Sequence, residues 1–289
     1  DLGTAVIRAT LQLDPTDARL TVATDSLPQV LAGVPLRLRA LAIDIDRRGF
    51  MVNPTSCAQT RIAAAIGSID EATSHASSRY ALGGCRKLPF APTVSMALTS
   101  RAELRRGGHP GLTIALQQRQ GQAALRSATV ELPRMLRLDA AAVATICTRE
   151  RASEGRCPRG SAVGSAQVRS PLLPRPLTGS LDVVQPLRGT QPDLWATVAG
   201  IGVRLSVRST TSVPSGGPIA SSFVELPDIP LAALRVSLRG GRHGLLSLAG
   251  GLCAGARARP IAVLAELRGQ NGRRRSTRVH VHAAPSCSR

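Results

Sequence analysis

Apolar and polar residues alternate with a period of two along most of the chain, and Pro and Gly cut the alternation at short intervals. Successive side chains of an extended strand face opposite sides, so the pattern predicts half-buried β-strands joined by turns. Such strands are readable at TAVIRATLQL, ARLTVATDS, GLTIALQQ, SATVELP, GSLDVVQP, DLWATVAG, GVRLSVRST, AALRVSLRG, PIAVLAELR and STRVHVHAA. In PLRLRALAIDID, Leu36 and Leu38 share one side, and Leu41, Ile43 and Ile45 continue it after a phase slip at Ala40-Leu41, where a bulge is expected. GQNGRRRS separates the last two strands as a turn, with Asn271-Gly272 supplying the positive backbone angles of a tight hairpin.

One segment departs from the alternation. LDAAAVATICTRE, from Leu138, is alanine-rich, offers Asp139 as an N-cap and meets a stop near Gly155, which predicts a short helix near 139–150. The expected fold class is all-β with this one helix.

The chain also echoes itself. LPQVLAGVPLRLRALAIDIDRRGFMVNPTSC and LPDIPLAALRVSLRGGRHGLLSLAGGLC share a Leu-Pro opening (Leu27-Pro28 and Leu226-Pro227), a Pro-Leu start, an Arg-containing turn and a closing Cys. RIAAAI and RPIAVLAEL then occupy matching places, and upstream ARLTVATDSLP resembles GPIASSFVELP. One structural unit used twice accounts for this. The expected organisation is residues 1–90 as a partial β-sandwich module, the C-terminal half of a repeat, and residues 91–289 as a complete one. Half a sandwich leaves apolar surface and strand edges that something must cover.

Composition narrows the class. An apolar content of 43% with 19% charged residues argues for packed cores. Aromatics are confined to Phe50, Phe90, Phe223, Tyr80 and Trp195, so aliphatic side chains must fill those cores, which suits face-to-face sheets in an Ig-like sandwich. Charge changes the picture less than its size suggests. The net +19 arises because acidic residues are scarce, and of 37 basic residues only Lys87 is a lysine. Residues 1–100 hold 10 basic and 8 acidic groups, the remainder 27 and 10, so the later part should adhere to polyanions such as anionic glycans or envelope polymers. Without aromatic stacking platforms or a nucleic-acid motif, specific nucleic-acid binding is not expected.

Cys57, Cys85, Cys147, Cys157, Cys253 and Cys287 are even in number and contain no CxxC pair, so disulfides fit better than zinc and imply an oxidising compartment. If the two copies fold alike, Cys57–Cys85 and Cys253–Cys287 are equivalent bridges and Cys147–Cys157 remains, giving three. No stretch approaches the ~20 apolar residues of a membrane span.

Catalytic signals are weak. His280 and His282, two apart, face one side of a strand without an evident third ligand, and His75, His109 and His243 lie in turn-like contexts. The Gly-Ser run from Gly160 to Ser165 lacks the Lys of a phosphate loop, and no G-x-S-x-G elbow occurs. Neither a cofactor, a metal nor an enzymatic activity is expected, although His109 or His243 beside a buried carboxylate would reopen that question. Asn53 is followed by proline, which blocks N-glycosylation. Arg273, Arg274 and Arg275 at a hairpin tip are the candidate polyanion contact, and Trp195 in DLWATVA reads as core.

The ordered series GFMVNPTSC, GCRKLPFAPTVSMAL, HPGLTIAL, CPRGSAVGSAQVRSPLL, PLTGSLDVVQP, PDLWATVAG, VELPDIPL and GQNGRRRSTRVHV resembles uncharacterised secreted repeat proteins of actinobacteria built from tandem β-modules. That resemblance implies export, a cell-surface or extracellular location and no catalytic residues. Together with the incomplete first copy it leads to the expectation of a structural or adhesive surface protein that polymerises through residues 1–90.

Overall fold

The structure, a computed structural model, describes residues 3–14, 17–44, 46, 52–213, 217–254, 257–258 and 261–283. Its strands are β1 (Ala9–Leu13), β2 (Leu20–Thr24), β3 (Val30–Leu31), β4 (Val34–Pro35), β5 (Thr60–Gly67), β6 (Thr73–Tyr80), β7 (Thr93–Thr99), β8 (Gly111–Gln117), β9 (Leu125–Glu131) and β10 (Leu136–Leu138). After the helix α1 (Arg149–Ser153) come β11 (Ala162–Arg169), β12 (Leu177–Val184), β13 (Asp193–Gly200), β14 (Val203–Ser212), β15 (Ala220–Phe223) and β16 (Ala233–Leu238). The last are β17 (Leu246–Leu248), β18 (Cys253–Ala254), β19 (Arg257–Ala258), β20 (Ala262–Gly269) and β21 (Arg274–His282).

Eleven of these strands close one barrel in the order β11-β12-β13-β14-β15-β9-β20-β21-β7-β8-β16, with β16 returning to β11. An odd number of strands cannot alternate direction all the way round a closed sheet. One parallel contact is therefore required, and it falls between β21 and β7, where Val281 lies opposite Met96 and His282 opposite Ala97. Alternation fills the interior: β20 reads exposed, buried, exposed, buried along its whole length, with Val263, Ala265 and Leu267 turned inward. Eleven strands enclose more space than a wall of aliphatic side chains fills. The two-stranded ribbon β10–β17 supplies the rest, Leu136, Leu246 and Leu248 joining the same core as Met96, Leu112, Leu181 and Val198. Apolar residues inside and arginines such as Arg268, Arg274 and Arg278 outside reverse the polarity of transmembrane barrels. Among the described residues no helix is long and apolar enough to cross a membrane.

This barrel overturns the expected tandem Ig-like β-sandwich. Strand periodicity is common to both architectures. Closure is decided by the pairings of β9 with β15 and β20, and of β11 with β16, between segments distant in sequence. Two disulfides, Cys57–Cys85 and Cys147–Cys157, stand where three were expected; Cys287 and the side chain of Cys253 lie outside the described residues.

The helix is also displaced. Only a 3₁₀ turn forms at Ala140–Ala142, with no side-chain cap from Asp139, and α1 begins after Thr148, whose hydroxyl accepts from the Arg151 amide. The cause is tertiary. Cys147 is held extended beside β12 by hydrogen bonds from its amide to the Val183 carbonyl and from the Gln185 amide to its own carbonyl, so no helix can run through it. Gly155, at φ +67°, ends α1 as foreseen, with the Arg156 amide closing back on the Arg151 carbonyl. PLRLRALAIDID forms no strand beyond Pro35 among its described residues; Leu38, Leu41 and Ile43 are exposed.

Candidate functional site

The echo in the sequence is an echo in the backbone. In β5–β6 Gly67 lies opposite Thr73, and the Ser68 amide donates to the Ala72 carbonyl at 2.8 Å. In β20–β21 Arg268 lies opposite Arg274, and the Gly269 amide donates to the Arg273 carbonyl at 2.8 Å. Both three-residue loops place their last residue in the left-handed region, Glu71 at φ 60° and Gly272 at φ 84°. The turn is thus a three-residue loop with one positive φ, and Asn271 keeps ordinary backbone angles. Glu71 adopts there, at a cost, what Gly272 adopts freely. The hairpin β1–β2 similarly matches the end of β14 with β15. Ala9 pairs with Thr24 as Ser209 pairs with Phe223, and the second loop is one residue shorter.

The two copies differ in what covers them. Val263 and Leu267 of β20 are 6% and 3% exposed, whereas Ile62 and Ile66, at the matching places of β5, are 65% and 61% exposed. Ile219, just before β15, is 4% exposed; Leu20, its counterpart at the start of β2, is 42% exposed. Leu11 lies opposite Val22 on the same face as Leu20, so the N-terminal hairpins present the inner face of a barrel to solvent. β6 contributes less, carrying Ala76, Ser78 and Tyr80 where β21 carries Thr277, Val279 and Val281.

This surface is anchored to the barrel at three places. The Cys57–Cys85 bridge ties the segment before β5 to Cys85, which is buried beneath the hairpin tip of β20–β21, and Asn271 Nδ2 donates to the Leu88 carbonyl at 2.9 Å. Asp228 accepts from Thr55 Oγ1 at 2.7 Å and from the Ser56 amide at 2.8 Å, while the Ala124 amide donates to Thr55 Oγ1 at 2.8 Å. Leu13, at the end of β1, and Ala18, in the β1–β2 loop, pack against the main core. In that loop the Arg19 guanidinium, donating to Asp17 at 2.7 Å, holds the Asp17 carboxyl below its ordinary range. Asp228→Ala leaves Thr55 and Ser56 without their acceptor. We expect faster proteolysis and amide exchange around residues 52–60 with little change in the barrel's melting temperature.

No family model, curated protein or solved structure matches this chain. The resemblance to actinobacterial repeat proteins rests on its sequence motifs alone.

The other residues singled out from the sequence fall apart spatially. Arg273 turns its guanidinium onto the Arg86 carbonyl, and Arg274 and Arg275 point to opposite sides of β21, so the three do not form a single grip. His280 and His282 share the exposed outer face of β21, as expected from their spacing. Trp195 is packed outside the barrel wall, under α1 with Cys147, Ala152 and Val184, and its Nε1 is buried without a hydrogen-bond partner. It lines a cleft of about 70 Å³ with Gly155, Cys157, Ser180, Asp182 and Thr197, far below the size of a small-molecule site. Asp182 is buried there and accepts from Ser161 Oγ at 3.0 Å and Ser180 Oγ at 2.5 Å.

His109 does meet carboxylates. Its Nε2 is 3.7 Å from Asp139 Oδ2, its amide donates to Glu103 Oε2 at 2.9 Å, and its Nδ1 contacts the Gly244 carbonyl at 3.0 Å. Asp139 is partly exposed, and among the described residues no hydroxyl or thiol bonds to the ring. The arrangement ties the β7–β8 loop to the segment before β17 and offers no nucleophile for the histidine to activate.

Proposed function

We propose that this chain is a structural, self-associating protein in which the closed barrel is the rigid body and the N-terminal hairpins are the adhesive surface, working in an oxidising compartment. The observation that carries the reading is the pair of matching hairpins, one with its apolar face buried in the barrel and one with the same face in water. Covering Ile62 and Ile66 is worth up to about 1.5–3 kcal/mol each, and the edges of β2 and β5 that pair with no strand among the described residues offer backbone hydrogen bonds to whatever does so. The two disulfides support the compartment, since such bridges persist where thiols are not kept reduced.

Sedimentation velocity over a wide concentration range, with negative-stain electron microscopy of the concentrated sample, tests this. The expected result is mass that grows with concentration, and a double variant, Ile62→Asp with Ile66→Asp, that stays monomeric. A parent chain that sediments as a monomer throughout would overturn the reading.

A further inference from the structure

The barrel itself shows what belongs beside the N-terminal hairpins. β15 and β20 are not neighbours; β9 lies between them, antiparallel to both. Their counterparts β2 and β5 each have one paired edge, to β1 and β6, and the other edge of each is the one that would hold a β9. We propose that β2 and β5 form an acceptor for one extended strand with the alternation of β9, supplied by a partner segment that presents such a strand unpaired, since β9 of this chain is itself paired on both edges. The proposal rests on the reading of the N-terminal hairpins as an adhesive surface and names the strand they accept.

The register follows from the pairings in the barrel. Val130 lies between Ser221 and Ala265, and Ala128 between Phe223 and Leu267. Carried to the N-terminal hairpins, the residue in the place of Val130 lies between Val22 and Ala64, and the one in the place of Ala128 between Thr24 and Ile66. The Leu132 amide, which donates to the Ile219 carbonyl at 2.7 Å, extends the ladder to Leu20. The exposed apolar residues of β2 and β5 therefore fall on the side of the completed sheet that the barrel turns inward. Main-chain pairing gives affinity in such strand addition, and the alternating side chains set the register. A strand from the outer, arginine-bearing face of a hairpin would instead put charge against Ile62 and Ile66.

The probe is a synthetic peptide with the sequence of residues 122–133, QAALRSATVELP, carrying a photo-crosslinking side chain in place of Thr129, added to the full chain. Thr129 lies between Ser222 and Glu266, so crosslinks are expected at Ala23 and Ala65. Amide exchange in residues 21–24 and 60–67 should slow by about tenfold or more on saturation. Val22→Lys with Ile66→Lys should abolish both effects, while Ile69→Lys, exposed in the turn and outside the register, should leave them intact. Unchanged melting of the barrel shows that each variant folds. A scrambled peptide that protects equally, or crosslinks confined to residues 93–282, overturns the proposal. A chain that self-associates while the peptide neither binds nor competes also overturns it and leaves self-association standing. A monomeric chain that binds the peptide in this register supports the acceptor and removes the self-association reading alone.

Discussion

Leu267→Asp unfolds the barrel, while Ile66→Asp, the same change at the matching place of the matching hairpin, leaves the melting temperature where it was. Leu267 is 3% exposed and packs with Phe90, Leu116, Ala123, Leu125 and Ala128. An aspartate there loses the transfer free energy of the leucine, opens a cavity and puts a carboxylate among apolar side chains. Together these cost about 4–5 kcal/mol or more, a large part of the 5–15 kcal/mol that holds a typical domain folded. Ile66, 61% exposed, gives up almost nothing, and surface changes of this kind stay within about 0.5 kcal/mol. Thermal and chemical unfolding of the two variants at low concentration, where monomers prevail, would read the difference. Equal losses would mean that Ile66 is covered, and the adhesive surface would go with its exposure.

That contrast also marks how far the sequence could be read. Alternation identified β20 because its buried positions, Val263, Ala265 and Leu267, are all apolar while its outward ones include Glu266 and Arg268. The correspondence of RIAAAI with RPIAVLAEL was legible for the same reason. Whether an apolar face is covered was not, because periodicity names the face and says nothing of its partner. PLRLRALAIDID makes the point from the other side: it alternates well, yet among its described residues the strand pairing ends at Pro35, with the Leu36 amide adding one bond to the Gln29 carbonyl, because alternation does not bring a segment to a partner. β11 was legible only in part because AVGSAQVR hides its inward Val163 and Ala166 among small polar residues, and β6, TSHASSRY, carries almost no apolar signal. Asp228 gave no sign in the sequence, for its partners Thr55 and Ser56 are brought to it only by the fold.

Gly179→Ala should be more damaging than its single methyl group suggests, and it tests the closed wall itself. A Cβ at Gly179 in β12 would lie 1.8 Å from the Thr197 carbonyl oxygen, 2.8 Å from its carbon and 2.9 Å from the Val198 Cα. All three are backbone atoms of β13, so no rotamer change relieves the clash, and the two strands must part. Gly164, in the neighbouring β11, is in the same position toward β16, its Cβ site 2.1 Å from the Ser237 carbonyl oxygen. Glycines at such points let strands approach and bend where a barrel turns its corner. Parting β12 from β13 also loosens β11, because Gly179 lies opposite Ala166 on its other edge. We expect a loss of more than about 4 kcal/mol, well beyond the roughly 0.4–1 kcal/mol that an alanine gains by stiffening the unfolded chain. Gly250→Ala supplies the opposite sign: nothing lies within 4 Å of its Cβ site and its φ is ordinary, so the entropic gain stands alone. If the two variants melt together, β12 and β13 do not approach as closely as a closed barrel of these eleven strands demands, and the contrast between a covered and an uncovered hairpin loses its foundation.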